Sequence, residues 1–407
     1  MQALRTIDRF FTSDDAKRMN LFTFTRPTSR RTMLKTFAAV LAALVVPAAK
    51  AALLKPQLGR HRIPLIHTTD LYHPPQDPDD QIDLATVLAL DEFDLQGVVL
   101  DITQRFLEGA PKGFDIPRDP GFIPIAQIGY LLGRDIPVAM GPTEPLRNPG
   151  DTAGDQPQRN QAGTNMLLEI LDRSPEPVVI TVVGSARVVT AAYNREPELM
   201  HAKTRAVVVN AGSTGGKKTE WNVGLDVHAF VGLWQSGLPI HWYPPGTERS
   251  AFVQKHERGT YWRARHNALF HDLPEELRAW FAYGFSGSAR GDFIRALNDE
   301  SSGAEWKKVL AGERNLWSTT SLVMAAGRVL AQTPEGWRFV PKAAATGLTV
   351  WPWRLDPIAA NVSKDGKVAW QLDDNATSTF LFGRKPNAEY SEAMAEALNA
   401  LLRTLPV

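Results

Sequence analysis

The sequence predicts an α/β protein built on an open, mainly parallel sheet with helices on both faces. Two observations carry that expectation. Apolar runs of strand length alternate with amphipathic stretches of helix length along most of the chain. The first of these runs also leads straight into a dense acidic loop, at the strand-to-helix position where open parallel sheets place their ligands.

Taken in order, Arg62–Ile66 reads as a short buried strand and Leu84–Leu90 as a helix packed on a sheet. The runs Leu95–Leu100, Ile136–Met140, Val178–Val183, Ala206–Val209 and Pro239–Tyr243 read as further strands. Asn165–Asp172 and Asp226–Gln235 read as amphipathic helices between them. Residues 270–335 read as mostly helical, and residues 336–382 as a strand-rich closing segment.

The N-terminus carries an address. Ser29-Arg30-Arg31-Thr32-Met33-Leu34-Lys35 resembles a twin-arginine export signal, and an apolar run, Thr36–Val46, follows it. Ala49-Lys50-Ala51 fits a small-x-small cleavage site, so residues 1–51 are expected to be leader and signal, with a mature start near Ala52. An 11-residue run is short for a membrane span, although an anchor or a core helix is the alternative. Met19 is a second candidate start. The expected location is periplasmic or secreted, with no membrane attachment after the signal is removed.

The remaining 356 residues, 52–407, are expected to form a single domain. They hold 36 basic and 41 acidic groups, a formal net charge of −5, so the basicity of the whole chain belongs to the leader. No basic stripe argues for nucleic acid, and no heptads or repeats appear. With no cysteine there is no disulfide, thiolate metal site or cysteine nucleophile.

The acidic loop carries the chemistry. It runs Asp70-Leu71-Tyr72-His73-Pro74-Pro75-Gln76-Asp77-Pro78-Asp79-Asp80-Gln81-Ile82-Asp83, with five carboxylates in 14 residues. Such groups repel unless something positive sits among them, and a hard divalent cation with oxygen ligands is the simplest answer. The alternative is that Asp77 or Asp79 merely caps the following helix. His67 and His73 flank the loop, and lone histidines of this kind are more often structural.

Four blocks in order resemble the nucleoside hydrolase family of the inosine–uridine-preferring type. Asp70 and Asp79-Asp80 match its Asp-x-Asp-x-x-x-Asp-Asp loop, with a longer spacer. Asp135–Leu146 is similar to its next strand and turn. Ile180–Arg187 stands where the family has a strand ending in Gly-Pro-Leu-Thr. Ala206–Gly212 followed by Glu220-Trp221-Asn222 and Asp226 is similar to its strand, glycine-rich loop and Glu-Phe-Asn block. The resemblance implies the nucleoside hydrolase fold and calcium-dependent hydrolysis of an N-glycosidic bond, giving free base and ribose. It implies Asp70 and Asp80 as Ca²⁺ ligands, with the main-chain carbonyl of Arg187, and Asp79 as general base toward water. Glu220 and Asn222 would bind the sugar and Trp221 would wall the pocket; a surface loop and core packing are the respective alternatives. A small nucleoside or glycoside is the implied partner, and family members are commonly homo-oligomers.

The pattern breaks near the C-terminal third. Trp317 stands where the family has His, and Ser318 where it has a metal-binding Asp. Asp83, one helical turn from Asp79 and Asp80, or Asp77 is the expected replacement ligand. The family's Gly-Asn after the second strand is replaced by Val99-Leu100-Asp101-Ile102. These losses keep two rival readings open on the same scaffold: a non-catalytic nucleoside- or sugar-binding protein, and a hydrolase for a different glycoside.

Overall fold

The first strand, β1 (Ile63–Thr69), is an interior strand of the main sheet and alternates its side chains between two cores. Leu65 joins one cluster and its neighbour Ile66 the other, as the two-residue period of a strand requires. In the computed structural model residues 62–75, 78–108, 117–299 and 303–407 are described. The leader and twin-arginine segment, and Asp77 of the acidic loop, lie outside the described residues. Among the described residues no helix is long and apolar enough to cross a membrane.

The other strands are β2 (Phe93–Leu100), β3 (Val138–Met140), β4 (Val178–Val182), β5 (Thr204–Val209), β6 (Ile240–Trp242), β7 (Trp262–Arg265), β8 (Glu313–Leu316), β9 (Arg328–Thr333), β10 (Gly336–Pro341), β11 (Thr349–Val350), β12 (Arg354–Val362), β13 (Val368–Leu372) and β14 (Thr379–Gly383). Nine of them form one sheet in the order β13-β12-β14-β6-β5-β4-β1-β2-β3. Every pairing from β14 to β3 is parallel; near one edge β12 pairs antiparallel with both β14 and β13, so β12 alone runs against the rest. The expected open, mainly parallel sheet is therefore present.

Helices cover both faces. Asp79–Ala89, Phe122–Leu131, Glu275–Phe285 and Tyr390–Leu402 pack on the side of Leu65, Val98 and Leu100 through Ile82, Ile125, Trp280 and Leu398. Ala162–Arg173, Arg187–Arg195 and Val227–Gln235 pack on the side of Ile66, Val99 and Val207 through Leu167, Val188 and Phe230. A strand buried on both faces reads as a continuous apolar run, which is why these strands were legible without polar alternation.

The largest departure from expectation lies in residues 270–335. Four helices, His266–Phe270, Glu275–Phe285, Gly303–Leu310 and Thr319–Ala325, begin there or just before, but β8 and β9 interrupt them. β8 is Glu-Arg-Asn-Leu and has no apolar period; it exists because β7, some 50 residues earlier, supplies its antiparallel hydrogen bonds.

The order places a topological switch between β1 and β4. Chain to one side continues through β2 and β3, chain to the other through β5 and β6. The carboxyl ends of these two strands open a crevice at that point.

Candidate functional site

Each element delivers its functional residue at the carboxyl edge of the sheet. Asp70 follows the last residue of β1, and Gly184 lies just beyond β4. A Cβ built on Gly184 would lie 2.8 Å from Asp70 Oδ1, so only glycine lets the two strand ends approach this closely. Asp79 and Asp80 open the helix Asp79–Ala89, whose N-cap is Pro78 with no side-chain cap. Asp79 is thus the first residue of the helix rather than its N-cap. Both carboxylates sit in the first turn, where the positive end of the helix favours them.

Asp70, Asp79 and Asp80 line a cleft of about 710 Å³. Tyr72, Phe106 and Trp221 line it on one side and Phe252 and Trp317 on another, while Val183, Asn210, Glu220, Asn222 and Ser318 also face it. Trp221 is 57 % exposed and packs beside Phe106 with centroids 6.2 Å apart, so it is a wall at the mouth rather than core packing. Trp317 donates its indole N–H to Ala251 O at 2.8 Å and meets Phe252 and Tyr261, each at 5.6 Å between centroids.

The charges on the floor are poorly matched. Burial raises the pKa of Asp80 well above the usual carboxylate range, and Asp70, Asp79 and Asp83 raise it further; Thr69 Oγ1, donating to Asp80 Oδ1 at 3.0 Å, opposes them. Burial and Asp101 likewise raise Asp70, against the pull of Arg187. Asp83 is buried beneath the cluster, outside the cleft lining, and burial pushes its pKa up to about 7. Its principal relief is a hydrogen bond from Ser318. Ser318 occupies the N-cap of helix Thr319–Ala325 without capping it, which leaves the hydroxyl for Asp83. The serine that replaces the expected carboxylate is thus the partner of the aspartate proposed to replace it.

Arg187 gives its side chain a role of its own. It does not line the cleft, and its side chain is wholly buried behind Asp70. Nε donates to Asp226 Oδ2 at 2.9 Å, Nη1 lies 3.5 Å from Asp101 Oδ1, and Nη2 donates to Thr103 Oγ1 at 3.1 Å. Ser185 Oγ donates to Asp101 Oδ2 at 2.9 Å. A residue expected to offer only its carbonyl also places its guanidinium as a shared counter-charge between two buried carboxylates.

Glu220 is the N-cap of the short helix Trp221–Leu225. Oε1 accepts from Asn222 N at 3.1 Å, and Oε2 accepts from Gly212 N at 2.8 Å and Val223 N at 3.2 Å. Burial raises its pKa to about 6 against those bonds. It ties the glycine-rich loop to the helix, so its main contacts are internal. Asn222 Nδ2 donates to Asn210 O at 2.8 Å and Val183 O at 3.2 Å. His67 and His73 are structural: His67 Nδ1 pairs with Thr181 Oγ1 at 2.8 Å, and His73 Nε2 with Ser288 O at 2.8 Å.

Tyr72, Phe106, Asn210 and Phe252 were not singled out from sequence. Asn210 had a signal, a polar residue ending an apolar strand; Phe252, in a loop rich in charge, had none.

The donor chemistry fits a hard cation in kind: oxygen ligands only, carboxylates that raise one another, and a buried Asp83 Oδ1 with no hydrogen-bond partner. Among the described residues no three acidic or histidine side chains form a ready-made cage. Asp70, Asp79 and Asp80 are the carboxylates that line this cleft.

No family model matches the chain. It is 32 % identical over 199 residues to a pyrimidine-specific ribonucleoside hydrolase, RihA, of Enterobacter sp. (strain 638), covering 44 % of this chain and 58 % of that one. It is 27 % identical over 258 residues to the RihA protein of Salmonella newport (strain SL254), covering 56 % and 77 %. Among solved structures, the purine-preferring ribonucleoside hydrolase from Gardnerella vaginalis aligns with a TM-score of 0.46 at 15 % identity, over 84 % of this chain and 99 % of that one. The first of these alignments spans little more than half of that relative's length. With its motifs in the family's order, the chain is similar in sequence to these nucleoside hydrolases over about half of its length.

Proposed function

We propose that this protein hydrolyses the N-glycosidic bond of a nucleoside, releasing free base and ribose, with Ca²⁺ held by Asp70 and Asp80. The observation that carries the reading is a floor of mutually repelling carboxylates in a cleft walled by aromatic rings. A divalent cation at that floor would neutralise the repulsion and make water easier to deprotonate.

The chain's own residues supply the rest. Asp79, on the cleft floor beside Asp80, takes a proton from the attacking water. The water oxygen bonds to the anomeric carbon from the face opposite the base, through an oxocarbenium-like sugar, as in inverting glycoside hydrolysis. The base leaves with the electrons of the C–N bond. Its proton comes through water, since Trp317, at the expected histidine position, already gives its indole N–H to Ala251. Asn222 and the glycine-rich loop held by Glu220 shape the sugar side, and Trp221 the mouth. Export by the twin-arginine route would place this site where calcium is abundant enough for a site with few charged ligands.

Ser318 favours a second reading, a protein that binds nucleosides without turnover, because a neutral oxygen stands where the family has a carboxylate. One assay separates the two: release of reducing sugar from purine and pyrimidine nucleosides, with calcium, with chelator, and with Asp79→Asn. Hydrolysis should require calcium and fall about 10²- to 10⁴-fold in Asp79→Asn. No turnover on any nucleoside, with thermal stabilisation by calcium and nucleoside intact, would establish the binding role instead.

A further inference from the structure

Across the cleft floor from the carboxylates lies a polar group that the proposed reaction does not use. β5 is apolar up to Val209 and then delivers Asn210, which is 1 % exposed and lines the cleft. Its amide orientation is fixed from behind. Nδ2 donates to Val182 O at 3.2 Å, a carbonyl that also accepts Asn210 N at 2.9 Å, so only the nitrogen end suits that side. Asn222 Nδ2 holds the Asn210 carbonyl at 2.8 Å. Oδ1 therefore points away from these bonds, and it is buried with no hydrogen-bond partner. An acceptor clamped in this way is unfavourable in the folded protein until a donor arrives.

We infer that Asn210 determines specificity in this cleft: its Oδ1 accepts a hydrogen bond from one hydroxyl of the ligand's sugar, so the site selects a polyhydroxylated sugar over its deoxy counterpart. The inference rests on the reading that the cleft takes a glycoside, and it adds the residue that chooses the sugar. Position favours a sugar hydroxyl over an amino group of the base. Thr68 of β1 pairs with Val182 of β4, and Val182 with Val209 of β5, so Asn210 stands two strands from the end of β1, roughly 10 Å away. A furanose fits across that floor. The exposed ring of Trp221, suited to a planar base, is at the mouth. A buried acceptor built for a hydroxyl rejects the analogue that lacks it more strongly than an apolar pocket rejects a lost methylene.

The test compares kcat/KM for uridine and its 2′-, 3′- and 5′-deoxy analogues, with calcium, in the wild type, Asn210→Leu and Asn210→Asp. Cytidine is added as the base-amino control, and dissociation constants of the same probes replace kcat/KM if the protein binds without turnover. The wild type should penalise one deoxy analogue about 10- to 100-fold. Asn210→Leu should abolish that one penalty and keep the others, while Asn210→Asp, which retains the acceptor, should preserve it. If Asn210→Leu does not fold, by thermal midpoint, Asn210→Ser should lose the same discrimination because its shorter side chain falls short of the ligand. Parallel losses on all substrates, or a change that tracks cytidine against uridine, would overturn the inference while leaving the hydrolase reading standing. Neither turnover nor binding of any probe by the wild type would remove both.

Discussion

Two groups of buried carboxylates share the carboxyl edge of this sheet, and they are treated in opposite ways. Asp101 and Asp226 face one arginine, Arg187, with Ser185 and backbone amides completing their bonds. Asp70, Asp79 and Asp83 raise Asp80, Asp70 raises Asp83, and Asp101 raises Asp70, with relief from Thr69, Ser318 and Arg187. The first group has a counter-charge of its own, one guanidinium for two carboxylates, and does not line the cleft. The second stores repulsion, and part of it lines the cleft. Buried negative charge can be offset by a cation of the fold's own, as at Arg187, or be relieved by protonation or a bound cation, and only a charge left open in the second way can make a ligand site.

The comparison breaks most readily at Arg187. Arg187→Met leaves two buried carboxylates without their counter-charge and should cost about 3–5 kcal/mol of folding free energy, measured by denaturant unfolding. A loss below about 1 kcal/mol would mean that the two groups do not differ as described.

The next effect is a pH dependence. Asp83 has its pKa raised to about 7 in the folded protein. In chelator the native state therefore holds a proton that the unfolded chain has already released, so the contribution of Asp83 to stability falls as pH rises from about 4 to about 7. Asp83→Asn should remove that slope and be the more stable protein at pH 8, by on the order of 4 kcal/mol. The difference between variants is the proper readout, because His67, pushed down to about 4 by burial, acts in the opposite sense over much of the same window. It is neutral in the fold where the unfolded chain is protonated, so its contribution is lost as pH falls from about 6.5 to about 4. An unchanged slope in Asp83→Asn would show that Asp83 is not strained.

The smallest effect sharpens the contrast. Ser318→Asp places a carboxylate against Asp83 in place of a hydroxyl donor. Without a cation it should lower stability by about 1–3 kcal/mol, the cost of a lost buried partner. With calcium it should regain at least that much, since a third carboxylate strengthens binding of a hard cation. Calorimetric unfolding with calcium and with chelator reads both; equal losses in the two conditions would argue against a cation at this floor.

Much of this was legible in the residues. The apolar runs located the strands because a strand covered on both faces needs no polar alternation. The acidic loop was placed correctly after β1, since its charges could not belong inside a strand. Other features depended on pairing at a distance. β8 carries no strand period and is held by β7. Arg187 could be matched to a family position but not to Asp101 and Asp226, which lie 86 residues before it and 39 after it in the chain. Glu220-Trp221-Asn222 was visible as a block, but the capping of Glu220 was not.

What the sequence by itself determined is the succession of strands and helices, the acidic loop at a strand's carboxyl end, and the kind of donor found there, because periodicity and local charge are properties of neighbours in the chain. What only the tertiary structure decided is which strand stands beside which, which carboxylates receive an arginine and which do not, that Ser318 serves Asp83, and that Asn210, a residue of the cleft lining, keeps a buried oxygen without a partner. Those outcomes depend on side chains brought together from distant parts of the chain, and burial fixes their energies only once the sheet has set their places.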